Sequence, residues 1–305
     1  IALLLCNNNN KQQISSSKCI MSIEGKNIII TGATSGIAVA WAAELSKEGA
    51  SVFIGGRRED KGLEVAKQTK STFHKVDVAL EESNKAFFAA AMKHFGGSES
   101  EPECVDFVFL NAGVEGDNGD GIATLDIKTY DYIFDVNVRG IILGLQYAQK
   151  LLRQNGSFVF TSSIGSILDT PSLYGASKAA VDSLTRSYAK QFADSDDERL
   201  NSLSVYSINP AWFISEMTDR GVAKGYRHSV VARMANPSQR PGTGEDLAKT
   251  IKEMVKGNLP YKSGANICVD ADTHFPLDEY RSRLEAATAA AAGTEPADTV
   301  GNEEK

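Results

Sequence analysis

Short, largely apolar runs rich in β-branched and aromatic residues recur along this chain with helix-like segments between them. Asn27-Ile28-Ile29-Ile30-Thr31 stops at Gly32 and is followed by Ile37 to Glu48, whose Ala, Trp and Leu positions repeat at helical spacing. The same alternation predicts strands near Ser51 to Ile54, Thr72 to Val76, Val105 to Leu110, Ser157 to Thr161, Leu203 to Ile208 and Asn266 to Val269. Helices are expected at Lys61 to Lys70, Leu80 to Phe95, Ile127 to Arg153, Leu173 to Phe192 and Glu245 to Lys256. Strands with one wet face would alternate apolar and polar residues, so continuous apolar strands separated by helices call for a parallel sheet covered on both faces. The expected architecture is an α/β fold, a doubly wound parallel seven-stranded sheet of Rossmann-like type, in a single domain.

Composition narrows the class further. At 305 residues and 42% hydrophobic the chain has material for one large core, and no uninterrupted run of about 18 apolar residues offers a membrane-spanning helix. A net charge of -7 argues against broad nucleic-acid binding, which needs a basic face. Cys6, Cys19, Cys104 and Cys268 lie far apart and are read as free thiols, which points to a reducing, cytoplasmic setting. Residues 1–20 read as a disordered or non-native extension, with Met21 as the expected start. Residues 21–275 read as the folded domain and 276–305 as an Ala-rich, acidic tail, with a short helix at Leu277 to Ala292 and fraying from Gly293 to Lys305.

Ligands of such sheets bind beyond the carboxyl ends of the strands, where the strand order reverses. After the first strand comes Thr31-Gly32-Ala33-Thr34-Ser35-Gly36-Ile37-Ala38. Glycines there allow a sharp turn and a close approach to a diphosphate, whose charge the free N–H groups of the following helix then hold. The second strand ends in Gly56-Arg57-Arg58: an acid at this point would grip a ribose 2′-hydroxyl, whereas arginines pair a 2′-phosphate. Tyr174 and Lys178 are four apart and share one helix face behind the Ser-rich end of the fifth strand. An ammonium beside a phenol favours phenolate, which would supply an acid/base at neutral pH.

On these motifs the chain resembles the short-chain dehydrogenase/reductase family over about Lys26 to Asp270. The T-G-x-x-x-G-x-G turn is matched by Thr31, Gly32 and Gly36, with Ala38 in place of the last glycine, so a slightly shifted turn is expected. The resemblance implies cofactor contacts from Thr34, Ser35 and Ile37 in that turn, from Asp77 and Val78 after the third strand, and from Asn111-Ala112-Gly113 after the fourth. It also implies contacts from Pro210, the backbone of Phe213 and the hydroxyl of Ser215 after the sixth. Y-x-x-x-K is matched by Tyr174 and Lys178, and the helix asparagine by Asn137. Ser163 lies 11 residues before the tyrosine and Ser162 lies 12, and the S-S-I-G pattern favours Ser163.

The implied reaction is hydride transfer between a nicotinamide ring and a carbonyl or its secondary alcohol. Tyr174 would be the acid/base, Lys178 would lower its pKa and bind the nicotinamide ribose, Ser163 would orient the substrate oxygen, and Asn137 would hold a water that relays protons. NADP is expected over NAD, because Gly56 offers no carboxylate and Arg57 and Arg58 follow it. A small ketone or alcohol would sit under a lid spanning Trp212 to Pro241, with Leu168, Trp212 and Met217 as an apolar wall and Lys224 among the lid's charges. A homodimer or homotetramer is expected, joined through Leu173 to Phe192 and Glu245 to Asp270. The alternative function is a nucleotide-binding regulatory protein of the same fold without catalysis. No metal site is expected: Glu115 to Gly121 lacks the twelfth-position carboxylate of a calcium loop, and His74, His94, His228 and His274 are scattered.

Overall fold

A computed structural model describes residues 22–116, 122–168, 172–223 and 227–293. Met21 and the expected extension, residues 117–121 of the acidic stretch, Lys224 and the tail beyond Gly293 lie outside the described residues.

In chain order the elements are β1 (Asn27–Thr31), α1 (Ile37–Lys47), β2 (Ser51–Gly56), α2 (Glu59–Thr69), β3 (Thr72–Lys75), α3 (Glu81–His94) and β4 (Val105–Leu110). Then come α4 (Ile127–Phe134), α5 (Gly140–Ala148), β5 (Leu152–Thr161), α6 (Leu173–Ala193), α7 (Glu198–Asn201) and β6 (Ser204–Pro210). The chain continues through α8 (Glu216–Ala223), α9 (His228–Ala235), α10 (Gly244–Val255), β7 (Asn266–Asp270), β8 (Thr273–Pro276) and α11 (Tyr280–Gly293). The sheet order is β3-β2-β1-β4-β5-β6-β7-β8, and each pairing from β3 through β7 is parallel. Strand order therefore reverses between β1 and β4, which opens a crevice at their carboxyl ends.

The apolar pattern of β1 shows why both faces are covered. Ile28 and Ile30 point into a cluster with Trp41 and Leu45 of α1 and with Leu247 and Ile251 of α10, while Ile29 between them joins Phe87 and Phe88 of α3 on the other side. These side chains are all within a few per cent of complete burial, so truncating one to alanine costs about 2–5 kcal/mol.

Two expectations are corrected. The sheet has eight strands, not seven: β8 pairs antiparallel with β7 after a tight turn at Ala271, which takes a positive φ of 50°. The single helix expected over Ile127 to Arg153 is three pieces. A turn of π-helix spans Asp135–Arg139 between α4 and α5, and a 3₁₀ turn at Gln149–Leu151 leads into β5 at Leu152. Beyond β8 the chain stays packed: Leu277 and Tyr280 are buried, and the Tyr280 hydroxyl donates to the Ala235 carbonyl at 2.7 Å. Among the described residues no helix is long and apolar enough to cross a membrane.

Candidate active site

A cleft of about 760 Å³ opens over the carboxyl ends of six strands and is lined from each of these: Gly32 after β1, Gly56 in β2, Val76 after β3, Asn111 after β4, Ser162 after β5 and Pro210 in β6. Every cofactor and pocket position named from the sequence lines it, Thr34, Ser35, Gly36, Ile37, Arg57, Arg58, Asp77, Val78, Ala112, Gly113, Phe213 and Ser215 included, with Leu168, Trp212 and Met217. Asn137 stands behind the lining.

The glycine turn is held by its neighbours. Gly32 has a φ of +72°, and a Cβ there would lie 2.6 Å from the Ala112 backbone, so neither the conformation nor the space admits a side chain. Asn111 fastens the turn to the sheet: its amide donates to the Thr31 carbonyl at 3.0 Å and its side-chain oxygen accepts from the Thr161 hydroxyl at 3.0 Å. Gly36 begins α1 without any side-chain cap, leaving the first N–H groups of that helix directed at the cleft. Ala38 is fully buried on α1.

Gly56 is glycine for a steric reason. A Cβ there would meet the Thr34 methyl at 2.5 Å. Beside it, Arg58 bonds Thr34 Oγ1 at 3.3 Å and the Ser35 hydroxyl, and pairs with Glu216 at 2.9 Å. Arg57 bonds the Tyr132 hydroxyl at 3.1 Å and lies over its ring. Tyr132 and Glu216 were not legible as site residues, since they come from α4 and α8, far along the chain.

The acid/base end is built by α6. Ser172 caps that helix by accepting the Gly175 N–H at 3.2 Å, which sets Tyr174 in the first turn and Lys178 one turn later. The Ser163 hydroxyl, which accepts the Gly165 N–H at 3.0 Å, acts on the Tyr174 phenol and lowers its pKa, whereas the Ser162 hydroxyl is buried and donates to the Lys178 carbonyl at 3.0 Å. Between the two serines, Ser163 is thus the one that faces the phenol. Lys178 is 2% exposed, donates to the Thr161 carbonyl at 2.7 Å and sits 5.5 Å from the Tyr174 ring centre.

The electrostatics differ from the sequence expectation. Burial pushes the Tyr174 phenol up to about 12 against the lowering effect of Ser163, and it pushes the Lys178 amine down to about 8 against the raising effect of Asp182. Glu115 adds to the upward push on the phenol, which is protonated at neutral pH.

Asn137 lies in the π-helical turn, fully buried, and its amide donates to the Val114 carbonyl at 2.8 Å and Ser177 Oγ at 2.9 Å while its oxygen accepts the Val114 N–H at 2.8 Å. Its side chain therefore ties the β4 loop to α6. The expected contacts at Phe213 and Ser215 are likewise partly engaged, because Thr218 donates to the Phe213 carbonyl at 2.7 Å and bonds Ser215. Asp77 turns its carboxylate to the Ala79 N–H at 3.1 Å. In the lid, Trp212 donates its indole N–H to His228 at 3.1 Å, and His228 reaches Asp219 at 3.0 Å.

The family described as "Enoyl-(Acyl carrier protein) reductase" matches residues 32–274. The chain belongs to the short-chain dehydrogenase/reductase family. It is 26% identical to (+)-borneol dehydrogenase 2 of Salvia officinalis over 84% of this chain and 93% of that one. It is 28% identical to xanthoxin dehydrogenase of Arabidopsis thaliana over 81% and 88%. A solved structure of a short chain dehydrogenase/reductase family protein superposes with a TM-score of 0.68 at 26% identity, over 82% of this chain and 98% of that one. The short-chain dehydrogenase/reductase described here is an oxidoreductase acting on an alcohol or carbonyl group of a small molecule, with a nicotinamide cofactor. Its residues fit that cofactor: a glycine turn that a Cβ would fill, an uncapped helix start beside it, and two arginines at the far end of the same cleft.

Proposed function

We propose that the chain is an NADP(H)-dependent oxidoreductase that interconverts a ketone and a secondary alcohol, with Tyr174 as its acid/base. The observation that carries this reading is the convergence of Ser163, Tyr174 and buried Lys178, whose amine lies 5.5 Å from the phenol ring, in the cleft that also holds Arg57 and Arg58.

The cofactor supplies or accepts the hydride. Gly32, Gly36 and the start of α1 hold its diphosphate, Asn111 to Gly113 back it, and Arg57 and Arg58 meet a 2′-phosphate. In reduction, the protonated Tyr174 phenol donates to the carbonyl oxygen while Ser163 hydrogen-bonds that oxygen and fixes its direction. Cationic Lys178 stabilises the phenolate that results and binds the nicotinamide ribose. In oxidation the same proton returns from the alcohol to Tyr174. Leu168, Trp212 and Met217 hold the apolar body of the substrate. Self-association through α6 and through α10 with β7 belongs to the same reading.

The test is Tyr174→Phe assayed on a panel of ketones and secondary alcohols with both cofactors. Activity is expected to fall about 10²- to 10⁴-fold with cofactor affinity nearly unchanged. Substantial turnover in the variant would refute the assignment, and cofactor binding without turnover in the wild type would favour a regulatory nucleotide-binding role.

A further inference from the structure

Below the Tyr174 and Lys178 pair lies a buried polar cluster that the reaction does not use directly. Asp182 sits one helical turn beyond Lys178 on α6 and is 4% exposed, and Ser207 and Asn209 on β6 are fully buried against it. The Asn209 amide donates to Asp182 at 2.9 and 3.1 Å and to the Ser163 carbonyl at 3.2 Å. The Ser207 hydroxyl lies 3.3 Å from Asp182 and 2.9 Å from the Asn209 side-chain oxygen.

A carboxylate in this place is costly. Removing an ionised group from water is repaid only by good partners, and among the described residues none of the hydrogen bonds to Asp182 comes from a cation. An asparagine would accept the Asn209 amide equally well. What the aspartate adds is charge, and it acts on the buried amine one turn away on the same helix face, where it opposes the effect of burial. The other ionisable groups around that amine are Tyr174 on α6 and Glu115 on the β4 loop, which acts on Tyr174. From β5 the amine meets the Thr161 carbonyl, and on the β4 side it lies beside Gly113, which the neutral Asn137 side chain also flanks.

We propose that Asp182 is a positioning residue with two arms: through Asn209 it seats the Ser163 backbone, and as the buried counter-charge it keeps Lys178 cationic. This rests on the reading of Ser163, Tyr174 and Lys178 as the reacting constellation.

The arms separate experimentally. Asp182→Asn keeps the shape and removes the charge. In NMR of the ligand-free chain with carbon-labelled lysines, assigned with Lys178→Gln, Lys178 is expected to lose its proton about one pH unit lower than in the wild type. The alkaline limb of kcat for ketone reduction moves down equally, and Asp182→Glu restores both in part. Asn209→Ala keeps the charge and cuts the link to Ser163, so kcat falls about tenfold or more while Lys178 titrates as in the wild type. Loss of thermal stability in Asp182→Asn with the Lys178 titration unmoved would overturn the charge arm, and unchanged kcat in Asn209→Ala would overturn the other. The titration needs no turnover, so an inactive wild type would sink the oxidoreductase reading and leave this one to be judged on Lys178 alone.

Discussion

Arg58 and Glu216 meet across the mouth of the cleft, guanidinium to carboxylate at 2.9 Å, with Lys61 on the second carboxylate oxygen at 3.1 Å. The two cations hold the Glu216 carboxyl down at about 2, so it stays charged throughout the working pH range. Glu216 opens α8, and Arg58 is one of the two arginines proposed to meet a 2′-phosphate, so under that proposal α8 and the phosphate would compete for one guanidinium. Both partners are largely exposed, which limits the pair to about 0.2–1 kcal/mol. Glu216→Gln is expected to tighten NADPH binding about two- to fivefold and leave NADH unchanged. Equal changes for both cofactors in a fluorescence titration would show that Arg58 does not read the phosphate.

Arg57→Ala and Arg58→Ala each remove one candidate phosphate contact. Charge-assisted contacts of this kind are worth about 1.5–3 kcal/mol, so NADPH affinity is expected to fall roughly ten- to a hundredfold in at least one variant while NADH affinity holds. Calorimetric titration of both cofactors reads this directly. A wild type that binds the two equally would refute the preference for NADP.

An acid in place of Gly56 is the obvious change for moving the preference to NAD. Thr34 blocks it, because its methyl lies 2.5 Å from where the new Cβ would stand. Gly56→Asp alone is expected to destabilise the fold by about 1–3 kcal/mol and weaken both cofactors. Adding Thr34→Gly should recover much of the melting temperature and uncover NADH binding. A single variant as stable as the wild type would show that the turn yields more easily than its packing implies.

The fold was legible wherever local pattern and tertiary burial agreed. Strands such as β1 read as apolar runs because Ile28, Ile29 and Ile30 face covered sheet surfaces on both sides. β8 did not, since four residues ending in Pro276 at a sheet edge carry no such run. The stretch from Ile127 to Arg153 kept a helical period through the π-helical turn at Asp135–Arg139, and apolar spacing cannot reveal a widened turn or the passage into β5 at Leu152. At the site, the glycine turn and the Tyr174 and Lys178 pair were readable because each lies within one element. Glu216 on Arg58 joins residues 158 positions apart, and Asp182 acts through β6, so neither left a local signature. The phenol's upward displacement was missed for a related reason: residue spacing gives proximity to a charge but not how deeply the group is buried.

The last prediction follows from the buried amine. Lys178 titrates at about 8 in the folded chain against 10.5 as a free side chain, so between those values the unfolded chain binds more protons than the folded one. Stability therefore rises with pH across that window. Below about pH 8 the folded state carries the full cost of a buried cation, and above about 10.5 it carries none. A shift of this size corresponds to about 3 kcal/mol. Lys178→Met removes the titrating group, so its stability relative to the wild type should be greatest near pH 7 and should fall by up to about 3 kcal/mol as the pH approaches 10.5. The loss of the bond to the Thr161 carbonyl lowers the variant equally at every pH and cancels from the comparison. Chemical denaturation of both proteins at about pH 7 and about pH 10 gives the difference, and parallel pH profiles would mean that Lys178 is not held below its usual range.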